Sequence, residues 1–348
     1  MDYASDRTYG CRIYEYWHRG SRQVLLENDL IRMNILLDKG ADITEILYKA
    51  LDIDFMWKAP AGLREFSRHI PTTASKLGNN LDYYEGGWHE SLPGGGPYVD
   101  GAEEGLHGEA ALLPWQMQVE KDTADEIGLL IWCELVRYPF RLEKKITLRS
   151  GEAKAFFSEK FINLSNEDLK YLWGQHPVFG RPFLDEHCRL DTPATFFENS
   201  KTFQAPTSQF EPGCKGNWPI DQGTDLAMLC SRDKNAELLY LTGLEAGWYA
   251  LTNQKKKLGI AFHWDIDQFP AVWIWKVFNG LPGWPWYGST YNLGIEFWSG
   301  APDYQTCKEN GTLMTIRGRE TIETDYLFSI YTGIEKVVHV DRQGCIKG

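Results

Sequence analysis

The chain has 348 residues, 43% hydrophobic and 24% charged, a composition that excludes a disordered chain and supplies a sizeable core. Its 36 Lys and Arg against 48 Asp and Glu give a formal charge of -12, a field that repels phosphate backbones and anionic headgroups and so argues against nucleic acid and membrane surfaces as partners. Seven cysteines form no C-x-x-C spacing and an odd count, so neither a zinc ribbon nor a disulfide framework is expected, and free thiols fit a reducing cytoplasm.

Met1-Asp2-Tyr3-Ala4-Ser5-Asp6 lacks the basic start and apolar run of a signal peptide. No apolar stretch approaches the ~18 residues of a membrane-spanning helix. From there short apolar or alternating runs recur: Val24 to Leu26, Ile31 to Leu37, Ile43 to Tyr48, Gly128 to Val136, Phe156 to Phe161 and Leu258 to Trp264. Turn chemistry separates them at Asp38-Lys39-Gly40, Arg149 to Glu152, Leu164 to Asp168 and Thr252 to Lys255. Two stretches break the rhythm and read as long functional loops, the Gly- and Pro-rich residues 86 to 115 and the Trp-rich residues 270 to 292. Helical periodicity is scarce, and no linker or short repeat divides the chain, so one mainly antiparallel all-β domain over residues 1–348 is expected.

Two of the eight histidines sit beside glycine or in tight polar contexts, in Leu106-His107-Gly108 and in Trp173-Gly174-Gln175-His176-Pro177. Imidazole exchanges protons near neutral pH, although a structural histidine bonded to backbone is the competing reading for each. Glu296 interrupts the apolar run Asn292 to Trp298. Burial there raises its pKa and makes it a better base, whereas strict alternation points it to solvent. His89 and Glu90, in a glycine-rich stretch, are candidates to contact substrate hydroxyls. Trp88 is the favoured aromatic for a pocket, and the Trp273 to Trp286 stretch reads either as a stacking face for a sugar or as core. His263-Trp264-Asp265-Ile266-Asp267 fits no strong metal-ligand spacing.

In their order and wide spacing, the Leu-His-Gly segment, the Trp-x-x-His-Pro segment and Asn292 to Glu296 resemble the aldose 1-epimerase, or galactose mutarotase-like, family. Leu25-Glu27-Asn28-Leu30 with Leu37-Lys39-Gly40-Ala41 looks like that family's opening hairpin, and Gly86 to Pro93 is similar to a double-glycine segment of some branches. The resemblance runs from about residue 25 to 305. It implies a β-supersandwich of large twisted antiparallel sheets, and reversible interconversion of the α and β anomers of a free sugar or sugar derivative. It assigns Glu296 as base, His176 as acid and His107 as a sugar ligand, with a small-molecule carbohydrate as partner and no metal or organic cofactor. The segment after His107 departs from the galactose-type members, and no counterpart of their Asn-Arg segment is clear, although Arg64 and Arg68 lie upstream of residue 79. Glu245 is the candidate for the acidic sugar-binding residue. A non-catalytic carbohydrate-binding or regulatory protein on the same fold is the alternative, because fold does not settle function.

Overall fold

The computed structural model describes residues 7–66, 72–229 and 234–348, so Arg68 lies outside the described residues. Two large antiparallel sheets dominate, one of twelve strands and one of eight. The smaller runs in spatial order Cys188–Asp191, Trp248–Asn253, Leu258–Trp264, Thr321–Thr332, Lys154–Asn163, Phe140–Arg149, Glu126–Glu134 and Gln116–Asp122. The part of the larger sheet that matters here runs Asp42–Tyr48, Trp88–Ser91, Gly174–Phe179, Tyr291–Trp298, Ala271–Phe278, Asn235–Thr242, Phe196–Asn199 and Lys215–Asn217. The helices Gly78–Leu81 and Tyr304–Asn310 are short.

The apolar runs form strands because they alternate or are apolar throughout, and each lies within or across an observed strand. The two stretches that read as loops are more ordered than their glycine, proline and tryptophan content suggests. Residues 86 to 115 contain the strand Trp88–Ser91, and residues 270 to 292 contain Ala271–Phe278, which carries Trp273 and Trp275 on a sheet rather than in a loop. Thr252 and Asn253 likewise end a strand, and the turn follows them.

Directly opposed residues of an antiparallel pair share a sheet face, and the next residue along either strand lies on the other face. One row of opposed positions, Glu90, Gln175, Phe297, Val272 and Leu241, therefore faces the smaller sheet. There Phe297 stacks on Trp264 at 4.8 Å and meets Phe262 at 5.8 Å, both from the smaller sheet, so the main core lies between the sheets. A buried ion cluster also crosses this space: Lys144 lies 2.6 Å from Glu90 and 3.0 Å from Glu159, and Gln175 Nε2 donates to Glu90 Oε1 at 2.7 Å. Trp173 donates to Glu90 and Tyr326 to Glu159, so every charge in the cluster has polar partners, as low-dielectric burial requires.

Candidate active site

The neighbouring row faces away from the smaller sheet. His89 lies opposite His176, Trp273 opposite Glu296, Tyr240 opposite Trp273 and Glu198 opposite Tyr240. Pairing of Gln175 with Phe297 and of Val178 with Gly294 sets His176 beside Glu296 on the same face. The two side chains meet, His176 Nε2 lying 3.1 Å from Glu296 Oε1, and they are only 4% and 2% exposed. Glu296 thus points neither to solvent nor into the inter-sheet core.

Trp298 Nε1 donates to Glu296 Oε2 at 2.8 Å, and Tyr84 Oη lies 3.5 Å from His176 Nδ1, so both members of the pair are held from behind. Burial pushes Glu296 up to about 8, the Trp298 hydrogen bond opposing it, and burial holds His176 down to about 3. Near neutral pH the pair therefore keeps one proton, resting on the carboxyl, with Glu296 Oε1 donating to His176 Nε2.

Two more imidazoles complete the cluster. His89 stacks on His176 at 4.4 Å with 12° between the planes, and His107 meets both edge-on at 4.7 and 4.5 Å. His107 stands in a left-handed turn at φ 64°, followed by Gly108, where a Cβ would come within 2.2 Å of the Leu92 carbonyl oxygen. Its Nδ1 bonds Ser91 Oγ at 3.1 Å. His89 is 1% exposed, and neither of its ring nitrogens has a hydrogen-bond partner among the described residues. Burial first, then neighbouring His and Lys39, hold His89 and His107 well below the ordinary imidazole value, so both are neutral hydrogen-bonding rings.

Three imidazoles whose nitrogens lie within 4.8 Å of one another invite a metal ion. A zinc ion sits ~2.0–2.1 Å from each nitrogen along in-plane lone pairs that converge on it. The rings of His89 and His176 are stacked 12° from parallel, so their in-plane lone pairs lie in separate, nearly parallel planes instead. As they stand, the three rings do not converge on a common ion.

Aromatic side chains flank the pair on both sides. Trp273 stacks on Trp298 at 4.2 Å, and Trp275 lies 6.0 Å from His176 and packs with Trp57 and Trp286. Gly95 lies against the Trp273 and Trp298 rings, where a Cβ would come within 2.9 Å of each.

The expected site residues divide accordingly. His176, Glu296, His107 and His89 meet on one face. Trp88 and Glu90 do not join them: they project from the same strand as His89 but into the core, Trp88 against Phe157, Phe262 and Tyr326, and Glu90 into the Lys144 cluster. A substrate contact for either is corrected by the strand's alternation. Glu245 is exposed in a different cleft, over the outward face of the smaller sheet with Lys145 and Asp325, and it does not reach the histidines. Sequence reasoning missed Tyr84 as the His176 partner. It named the tryptophan stretch without seeing that Trp273 and Trp275, at i and i+2 of a strand, share the face of Glu296.

The family described as a domain of unknown function, DUF4432, matches residues 18–330, and the chain belongs to that family. No curated protein sequence matches it. Among solved structures, the Slr1438 protein from Synechocystis sp. PCC 6803 is 17% identical, with TM-score 0.65 over 96% of this chain and 99% of that one. A galactose mutarotase-like protein from Clostridium acetobutylicum is 13% identical, with TM-score 0.66 over 93% and 99%. A galactose mutarotase related enzyme from Lactobacillus acidophilus is 18% identical, with TM-score 0.59 over 92% and 98%. The fold is the galactose mutarotase-like one.

Proposed function

We propose that this DUF4432 protein is an aldose 1-epimerase-like isomerase that interconverts the α and β anomers of a free sugar or sugar derivative. The observation that carries the reading is the buried contact between His176 and Glu296, 3.1 Å apart, with the His107 ring 4.5 Å from that of His176. Ring opening removes the proton from the anomeric hydroxyl, turns the C1–O1 bond into a carbonyl, breaks the bond from C1 to the ring oxygen and delivers a proton to that oxygen. Rotation about the C1–C2 bond and the reverse transfers then close the other anomer.

With the sugar's hydroxyls replacing the dry contact, Glu296 ionises and takes the O1 proton while the His176 imidazolium gives its proton to the ring oxygen. This leaves a protonated carboxyl and a neutral imidazole, the pairing that burial favours, so the pair stabilises the open-chain stage. His107 and His89, neutral and close by, bond the remaining hydroxyls, and Trp273 and Trp275 wall the site. Positioned proton transfer of this kind contributes ~10²–10⁴-fold. The six described cysteines are free, which suits the reducing cytoplasm where we place the reaction.

The test is anomer exchange by polarimetry or NMR on a panel of freshly dissolved aldoses. His176→Asn and Glu296→Gln are each expected to lose ~10²-fold or more. Exchange at the uncatalysed rate with the unaltered protein across the panel would sink the reading.

A further inference from the structure

The outward row of the larger sheet does not stop at the proton pair. It continues from Glu296 through Trp273 and Tyr240 to Glu198 and then Lys215, each opposite the next. At its far end a cleft of about 390 Å³ opens, lined by Phe196, Glu198, Lys215, Asn217, Tyr240 and Thr242. That volume is in the range of small-ligand pockets. Three strand spacings of ~4.8 Å put the Glu198 position ~14 Å from Glu296. The two places share an aromatic wall, since Tyr240 abuts Trp273 edge-on at 5.0 Å and Trp273 stacks on Trp298, the residue bonded to Glu296.

We propose that this cleft is a second binding site, for a neutral saccharide, separate from the proton pair; the choice of saccharide rests on the mutarotase reading. Phe196 is 52% exposed on a strand whose next residue, Phe197, is buried in the core, so its ring is offered outward as a face for sugar C–H groups. Beside it, Asn217 lies directly opposite Phe196 and contributes a planar amide. Glu198 and Lys215 pair at 2.9 Å, so the cleft presents hydroxyl-binding groups of both signs with no net charge, which suits an uncharged polyol over an anion. Ala301 and Pro302 also line the cleft, next to Gly300, whose carbonyl accepts from Trp273 Nε1 at 3.0 Å.

Calorimetric titration with glucose, galactose, lactose and maltose tests this on four proteins: unaltered, Glu296→Gln, Phe196→Ala and Asn217→Ala. The expected result is that Glu296→Gln still binds at least one probe, and that Phe196→Ala and Asn217→Ala each weaken that binding at least tenfold. Anomer exchange in the two cleft variants, both at exposed positions, should stay within twofold of the unaltered protein. The proposal is overturned if Glu296→Gln binds none of the probes, or if both cleft variants bind all of them as the unaltered protein does. Loss of anomer exchange in every protein would fail the enzyme reading alone, because the titration measures the cleft independently.

Discussion

Glu296 and His176 bind one proton between them over a wide pH range because burial moves their affinities in opposite directions, up to about 8 and down to about 3. The unfolded chain, with ordinary values of 4.5 and 6.5, also holds one proton on these groups between those two pH values. The pair's contribution to stability is therefore independent of pH in that interval. Above it the native pair retains a proton the unfolded chain has lost, so its contribution falls as pH rises from 6.5 toward 8, by at most ~1.4 kcal/mol per unit. Relative to Glu296→Gln, the unaltered protein is expected to lose stability in urea titrations run at increasing pH from 5 to 8. Parallel curves would show that the carboxyl is not held protonated. Activity carries its own signature, since transfer requires one proton on the pair: the exchange rate should fall with an apparent value near 8 and show no acid limb above pH 5. A rate that declines below pH 6.5 would mean that His176 is not held down by its burial.

At the scale of strands, the glycine at 294 matters as much as the carboxylate two residues on. Gly294 and Glu296 share a face, and a Cβ at 294 would come within 2.9 Å of Glu296 Oε1 and 3.4 Å of Trp275 Cβ. The nearer atom is the end of a flexible side chain, so Gly294→Ala should fold with a melting temperature within a few degrees of normal while displacing the carboxylate from His176. Exchange is expected to drop at least tenfold, since a misplacement of ~1 Å can cost ~10²-fold. An active Gly294→Ala protein would mean that Glu296 does not need this position. The same strands show how far the sequence could be read. Leu258–Trp264 and Ile31–Leu36 announce themselves by apolar runs, because a strand needs only a period or a run. Trp88–Ser91 is buried on both faces, so alternation carries no contrast there, and nothing in Trp-His-Glu-Ser says that His89 turns outward while Trp88 and Glu90 turn to the core. The meeting of His176 with Glu296 depends on a register between strands 120 positions apart, which only a resemblance to a known family could anticipate.

For the whole molecule, the question is what keeps two sheets in the register that aligns those rows. Lys144 belongs to the smaller sheet and Glu90 to the larger, and their 2.6 Å contact lies directly behind His89 and His176, beside Gln175. Glu159 faces the same ammonium from the neighbouring strand, pushed up to about 8 by burial and then by the Glu90 charge, with Lys144 opposing. Removing the cation leaves two buried carboxyls together, and breaking a buried pair in this way costs ~3–5 kcal/mol. Lys144→Met should therefore be destabilised by about that amount at pH 8. The loss should be smaller at pH 5, where the native carboxyls of the variant keep their protons and the unfolded chain gives up fewer. Adding Glu90→Gln removes one of the two negative charges, so the double variant should recover part of the stability at pH 8 while pH 5 changes little. Denaturant midpoints of the two variants at both pH values decide the matter. A Lys144→Met protein within ~1 kcal/mol of the unaltered one at pH 8 would show that apolar contacts alone hold the sheets together. Recovery of stability without recovery of anomer exchange would place the cluster's contribution in the alignment of the His89 and His176 strands rather than in the strength of the fold.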